Sequence, residues 1–246
     1  MRIEMLFPDV ANLHGDNFNI KYLSLCRPDA QVIRTELNVT PAFVTQPVDL
    51  IYLGPMSERS QRWVIARLHP YKERIAELIA NGTAFLFTHN AMEVLGECIR
   101  SVEPEQEVAG LGIFPFTTTL DFSARINSKV SGDVAGAPVV GYKSQFSSLW
   151  DAAELPPFLV AKQGLGRNRT TGSEGIRVNN FFGTSLLGPL LIMNPPFTKM
   201  LLQLLDPDTE PVLAYEDVAL AAYQARLREF ADKHRWHPGE VVSSGR

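Results

Sequence analysis

The stretch NGTAFLFTHNAMEVLG, residues 81–96, decides the fold. Asn81-Gly82 is a helix C-cap pair that closes whatever helix precedes it. The apolar run 83–88 is short, unalternating and bounded by turn residues, as a strand buried on both faces should be. NAMEVLGECI (90–99) then reads as a short helix. A buried strand turning sharply into a helix is where α/β enzymes often expose a nucleophile. Here the turn holds Thr88, His89 and Asn90, with neither Ser nor Cys.

Working outward, the same alternation continues. Residues 2–7 read as a first strand. Residues 16–26 form a helical stripe, with Asp16 as N-cap and Pro28 as stop. Residues 30–37 alternate as a second strand, and VDLIYLG (48–54) is nearly all apolar. One long helix is expected from about Ser57 to Ala80. Strand–helix alternation of this kind predicts a parallel doubly wound sheet.

Beyond residue 100 the texture changes to short strands split by Gly, Pro and polar turns, which predicts antiparallel extensions and loops around the parallel core. PPFTKMLLQLL (195–205) reads as a late helix. Residues 215–235 read as an amphipathic C-terminal helix, with Val218, Ala222, Ala225 and Phe230 on its apolar side. That side either packs on the core or receives a partner. The expected division is one domain over 1–205 and a helical extension over 206–246 packed on it.

The 246 residues are 45% hydrophobic and 20% charged, which suits a single sizeable core and argues against disorder. A net charge of −4 without a Lys/Arg block makes nucleic acid and anionic membrane poor partners. No stretch reaches the ~18 apolar residues of a membrane span, and the N-terminus is too short in apolar residues for a signal peptide, so a cytoplasmic protein is expected. Cys26 and Cys98 make no disulfide framework, and the five scattered histidines show no metal-ligand spacing. No metal or other cofactor is expected. Cys98 reads as a packing thiol, and GLGRNR (164–169) as a loop, since it lacks the spacing of a phosphate cradle.

Several segments in order resemble one family: FPDVANLHGDNFNI (7–20), VDLIYLGPMSERSQ (48–61), IANGTAFLFTHNAMEVLG (79–96), VAGLGIFPFTT (108–118) and EGIRVNNFFGTSLLGPLLIMNPPF (174–197). Together they look like the cobyric-acid-synthase-type class I glutamine amidotransferases, and within them the small glutaminase subunit of lipid II isoglutaminyl synthase. The resemblance implies a three-layer, flavodoxin-like α/β fold: a mainly parallel sheet with helices on both faces and antiparallel extensions. It also implies ammonia release from glutamine by a Cys thiolate, a His base and backbone oxyanion donors.

Carried over position by position, that machinery is missing. The family's elbow reads I-C-G-G, and His89 stands at its nucleophile, followed by Asn90 and Ala91. The base falls at Leu187 in GTSLLGPLL. The oxyanion loop falls at Gly54 and Pro55, and Pro55 has no N–H to give. An Arg that helps hold glutamine aligns with Lys129, and the family's N-H-G-G stretch with 144–147, which puts Ser144 and Gln145 with Asn90 in the former glutamine pocket.

Three readings follow. The chain is a non-catalytic amidotransferase-fold subunit, paired with a Mur-ligase-like synthase or with itself. Alternatively it is an enzyme with altered chemistry, using His89, Asn90 and Glu93 or Glu58. Or it is a sensor that binds a small molecule in the old pocket.

Overall fold

A computed structural model of the chain describes residues 1–232 and the backbone of 241–243. Its centre is a six-stranded sheet built from β1 (Arg2–Leu6), β2 (Gln31–Thr35), β3 (Leu50–Leu53), β4 (Ala84–Thr88) and, from the far end of the chain, two further strands. Between the early strands run α1 (Phe18–Cys26), α2 (Glu58–Leu68) and α3 (Lys72–Ala80). The expected single helix over 57–80 is thus two. Pro70 lies in the tight turn His69–Tyr71 between them, where it removes a backbone donor and breaks the helical ladder. Ser57 caps the first piece by accepting from the Ser60 N–H at 3.2 Å.

The second half adds β5 (Cys98–Ser101), β6 (Gln106–Ala109), β7 (Thr117–Leu120), β8 (Ala124–Val134), β9 (Ala137–Gln145), β10 (Ser147–Trp150), β11 (Leu159–Gln163) and β12 (Ser173–Glu174). These form two smaller sheets, paired mostly antiparallel. The chain then returns to the central sheet with β13 (Ile176–Val178) and β14 (Phe181–Thr184), and ends with α4 (Leu190–Met193), α5 (Pro195–Leu205), α6 (Glu216–Ala231) and β15 (Val241–Ser243), which pairs with β8. The central order is β13-β14-β4-β3-β1-β2, all parallel except the edge strand β13.

Alternation along the central strands splits the core into two layers. Ile51, Leu53, Phe85, Phe87 and Phe181 face α2 and α3, while Leu50, Tyr52, Leu86 and Phe182 face α1, α4 and α5. Phe85, Phe87, Phe114 and Phe181 stack with centroids 5.1–6.1 Å apart. Removing one such ring typically costs 3–5 kcal/mol.

Several sequence expectations need correction. Asp16 does not cap α1: Asn17 holds that position, and Asp16 is fully buried. The helix expected over 90–99 is a 3-10 turn ending at Leu95; Cys98 and Ile99 already belong to β5. Cys98 is buried and free, in a strand rather than within that helix. α6 buries Ala219, Tyr223 and Phe230, with Leu227 packed on them, whereas Val218 is 71% exposed. Its expected residues 233–235 lie outside the described residues. The GLGRNR stretch is a loop, as expected, and one of its side chains staples the second half. Arg167, 4% exposed, donates to the carbonyls of Gly175 (2.8 Å), Ala152 (2.5 Å) and Leu155 (2.7 Å). No helix is long and apolar enough to cross a membrane among the described residues.

Candidate functional site

Three adjacent parallel strands, β3, β4 and β14, run their carboxyl ends to one edge of the sheet. The loops that leave them carry Gly54-Pro55, His89-Asn90 and Leu187-Gly188. In open α/β sheets this edge is where ligands bind. The turn after β4 keeps the geometry of a nucleophile elbow: His89 has φ of 53°, a left-handed conformation costing about 1 kcal/mol for a side chain other than Gly. Behind it, Thr88 donates its hydroxyl to Asp16 Oδ2, which also accepts from Tyr52 at 2.8 Å. Burial raises the Asp16 pKa, and its Oδ1 has no partner.

The imidazole of His89 is engaged. Its Nε2 lies 3.1 Å from the Ser144 carbonyl, and because a carbonyl only accepts, Nε2 carries the proton. Nδ1 is buried without a partner. Burial lowers the pKa of the ring, so the neutral form is favoured. The ring of His14 lies 5.8 Å away, tilted by 54°.

Asn90 closes the neighbouring loop. Its side chain accepts from the Met56 N–H (3.0 Å) and donates to the Met56 carbonyl (2.8 Å). The first amide after Pro55 is therefore already bonded. Gly54 is packed tightly: a Cβ there would lie 2.9 Å from the Tyr52 hydroxyl and 3.0 Å from the Ala11 carbonyl.

Beside the elbow is a cavity of about 170 Å³. His89, Asn90, Ser144 and Gln145 line it together with His14, Gln61 and Glu93. Glu93 is buried, accepts from Ser147 Oγ (2.5 Å) and Gln61 Nε2 (3.1 Å), and has its pKa pushed up by burial to about 7. Ser144 also donates to Asn127 (2.8 Å), and Gln145 to the Ser147 carbonyl (2.8 Å). Lys129 does not line this cavity. Its ammonium pairs with Glu229 of α6 at 2.9 Å and lies over the Phe230 ring. The cation behind the site is Lys143, fully buried on β9, which donates to the Gly166 carbonyl (2.5 Å) and lies 3.9 Å from Glu174. Leu187 is also outside the cavity lining and pairs its backbone with Tyr142. Among the described residues, no group of three His, Cys, Asp or Glu is placed to hold a metal.

The CobB/CobQ-like glutamine amidotransferase domain model matches residues 2–194. The chain belongs to that family. It is 27% identical over 199 residues to the GatD subunit of the glutamine-hydrolysing lipid II isoglutaminyl synthase of Staphylococcus aureus strain N315, covering 79% of this chain and 80% of that one. The corresponding subunit of Streptococcus pneumoniae R6 is 22% identical over 198 residues, covering 79% and 76%. Cobyric acid synthase of Frankia casuarinae is 28% identical over 170 residues, 65% of this chain and 32% of that larger one. A solved glutamine amidotransferase structure superposes with a TM-score of 0.54 at 12% identity, over 82% of this chain and 98% of that one. This last likeness concerns the fold alone.

Proposed function

We propose that this amidotransferase-family chain is a non-catalytic, cytoplasmic subunit or regulator of a Mur-ligase-like amidating synthase. The observation that carries the reading is the elbow itself. Where a thiolate would stand, His89 gives its one N–H to the Ser144 carbonyl, and its other ring nitrogen is buried. The base position is Leu187, and the Met56 amide beside Pro55 is bonded to Asn90. Nucleophile, general base and one oxyanion donor are thus replaced or occupied together, and losing any one of these costs orders of magnitude in rate. The apolar rim is consistent with docking: Leu13 and Phe122 are 42% and 40% exposed near the cavity mouth.

The test is an ammonia assay on the purified chain with L-glutamine, alone and with a purified Mur-ligase-like synthase. No release above the blank in either case is expected, together with a stable complex. Turnover that disappears in His89→Ala would instead favour altered chemistry. A sensor role is the second reading, favoured by the cavity of about 170 Å³ and the polar side chains His89, Asn90, Ser144 and Gln145 on its wall. A ligand that binds only the folded chain would raise its melting temperature in a panel of amino acids, nucleotides and peptidoglycan fragments.

A further inference from the structure

We propose that the outward face of α6 is a self-association surface, on which two copies of this chain pair their α6 helices antiparallel. The twofold axis would pass beside Ala221 and Ala222.

α6 has two apolar sides. One, through Ala219, Tyr223, Leu227 and Phe230, is packed on the domain. Tyr223 donates to the Pro138 carbonyl at 2.7 Å, and the Phe230 ring lies 5.5 Å from Tyr142. The other side, Val218, Ala222 and Ala225 with Ala221 beside it, is exposed to solvent. It continues into Val212 and Tyr215, 66% and 70% exposed, with Tyr215 held at φ 54°. Small side chains let a second helix approach to the short end of the usual 8–10 Å interaxial range.

Charge selects the occupant. Asp217 and Arg228 flank this face on the same side, one near each end of α6, and both are exposed. Neither has an ion-pair partner among the described residues. Their midpoint falls one residue from the axis at Ala221 and Ala222, an offset of about 3 Å between Asp217 and Arg228 of the other copy that the long arginine side chain spans. An antiparallel pair therefore sets Asp217 of each copy beside Arg228 of the other, and Val218 against Ala225. A parallel pair would set like charges together. A surface whose charges complement their own twofold image fits a second copy of itself. A single helix seam is small for an interface, so association on the order of micromolar is expected.

Sedimentation of the full chain should give twice its 27.4 kDa mass at high concentration and the single mass on dilution. Ala222→Cys should cross-link to itself under mild oxidation, because Cys26 and Cys98 are buried and silent. Val218→Cys should not, since its images lie about 10 Å apart along the axis, beyond disulfide reach. Mixing Val218→Cys with Ala225→Cys should restore the bond. Asp217→Arg should weaken association at least tenfold, and adding Arg228→Asp should restore it. Circular dichroism on each variant checks that the fold is kept. A chain that stays monomeric at every concentration would overturn the proposal, as would a dimer in which Ala222→Cys fails to cross-link. If the chain is monomeric and Ala225→Arg abolishes binding to a purified Mur-ligase-like synthase, the face belongs to that partner and self-pairing is wrong.

Discussion

Two buried polar regions of this molecule are built to opposite standards. In the Arg167–Lys143–Glu174 region each charge is matched. Arg167 satisfies three carbonyls, Lys143 bonds Gly166, and Glu174 accepts from Thr184 Oγ1 and the Ser185 N–H, each at 2.8 Å. At the elbow, Asp16 Oδ1 and His89 Nδ1 are buried with no partner, a backbone residue is held left-handed, and a carboxyl titrates near neutrality. Buried polar groups without partners cost about 1–3 kcal/mol each. Architecture normally eliminates such costs, whereas sites tolerate them. The contrast therefore separates what holds the second half of the chain together from the candidate site at the sheet edge.

The sharpest way to break this comparison is Arg167→Ala. It takes the Arg167 donor from three carbonyls, of which only Ala152 keeps another, the Leu155 N–H at 3.1 Å, and is expected to cost roughly 4 kcal/mol in urea unfolding. A loss below about 1 kcal/mol would mean the staple is not structural.

Next in size is a pH effect at Glu93. Its pKa is raised from 4.5 to about 7, so between those values the folded chain holds a proton that the unfolded chain has released. Stability therefore falls as pH rises through that window, by up to roughly 3 kcal/mol once it is complete. Glu93→Gln should flatten this decline and exceed the parent above pH 7. Parallel pH profiles for the two chains would refute it.

The smallest effect expected is at His89. Replacing it with Gly relieves the left-handed backbone and removes an unpaired buried nitrogen, at the loss of one hydrogen bond to Ser144. Relief of the backbone is offset by the lost packing and by the greater unfolded-state entropy of Gly, so a net change within about 0.5 kcal/mol is expected. A loss above about 1 kcal/mol would show the elbow to be structural, in the manner of Arg167.

The central sheet was legible because strands buried on both faces leave unmistakable apolar runs, as at 48–54 and 83–88. The α2–α3 break was readable in principle at Pro70 but was masked by continuous helical periodicity on either side. Positions 89, 55 and 187 are singled out by the resemblance alone; the structure adds that the loops carrying them leave neighbouring strands at one sheet edge. The lining by Gln61, Ser147 and His14 was not legible, because no motif marks side chains brought together from a helix, a strand and a turn far apart in sequence. Lys129 misled for the opposite reason. A charge aligned with a family position says nothing of where its flexible side chain ends, and here Glu229 captures it. On α6 the expected apolar side through Val218, Ala222, Ala225 and Phe230 is split by the structure: Phe230 is buried with Ala219 and Tyr223, whereas Val218, Ala222 and Ala225 face solvent.

Gly188 carries one more consequence. A Cβ there would fall 1.4 Å from Asp16 Oδ1 and 2.6 Å from its carboxyl carbon. Asp16 cannot swing aside while its other oxygen holds Tyr52 and Thr88. Positions distant along the chain are thus mutationally locked: alanine at 188 should be tolerated only on a background where 16 has first been shortened. Any route that refits the loop at Leu187 for chemistry must therefore negotiate α1's entrance in the same step.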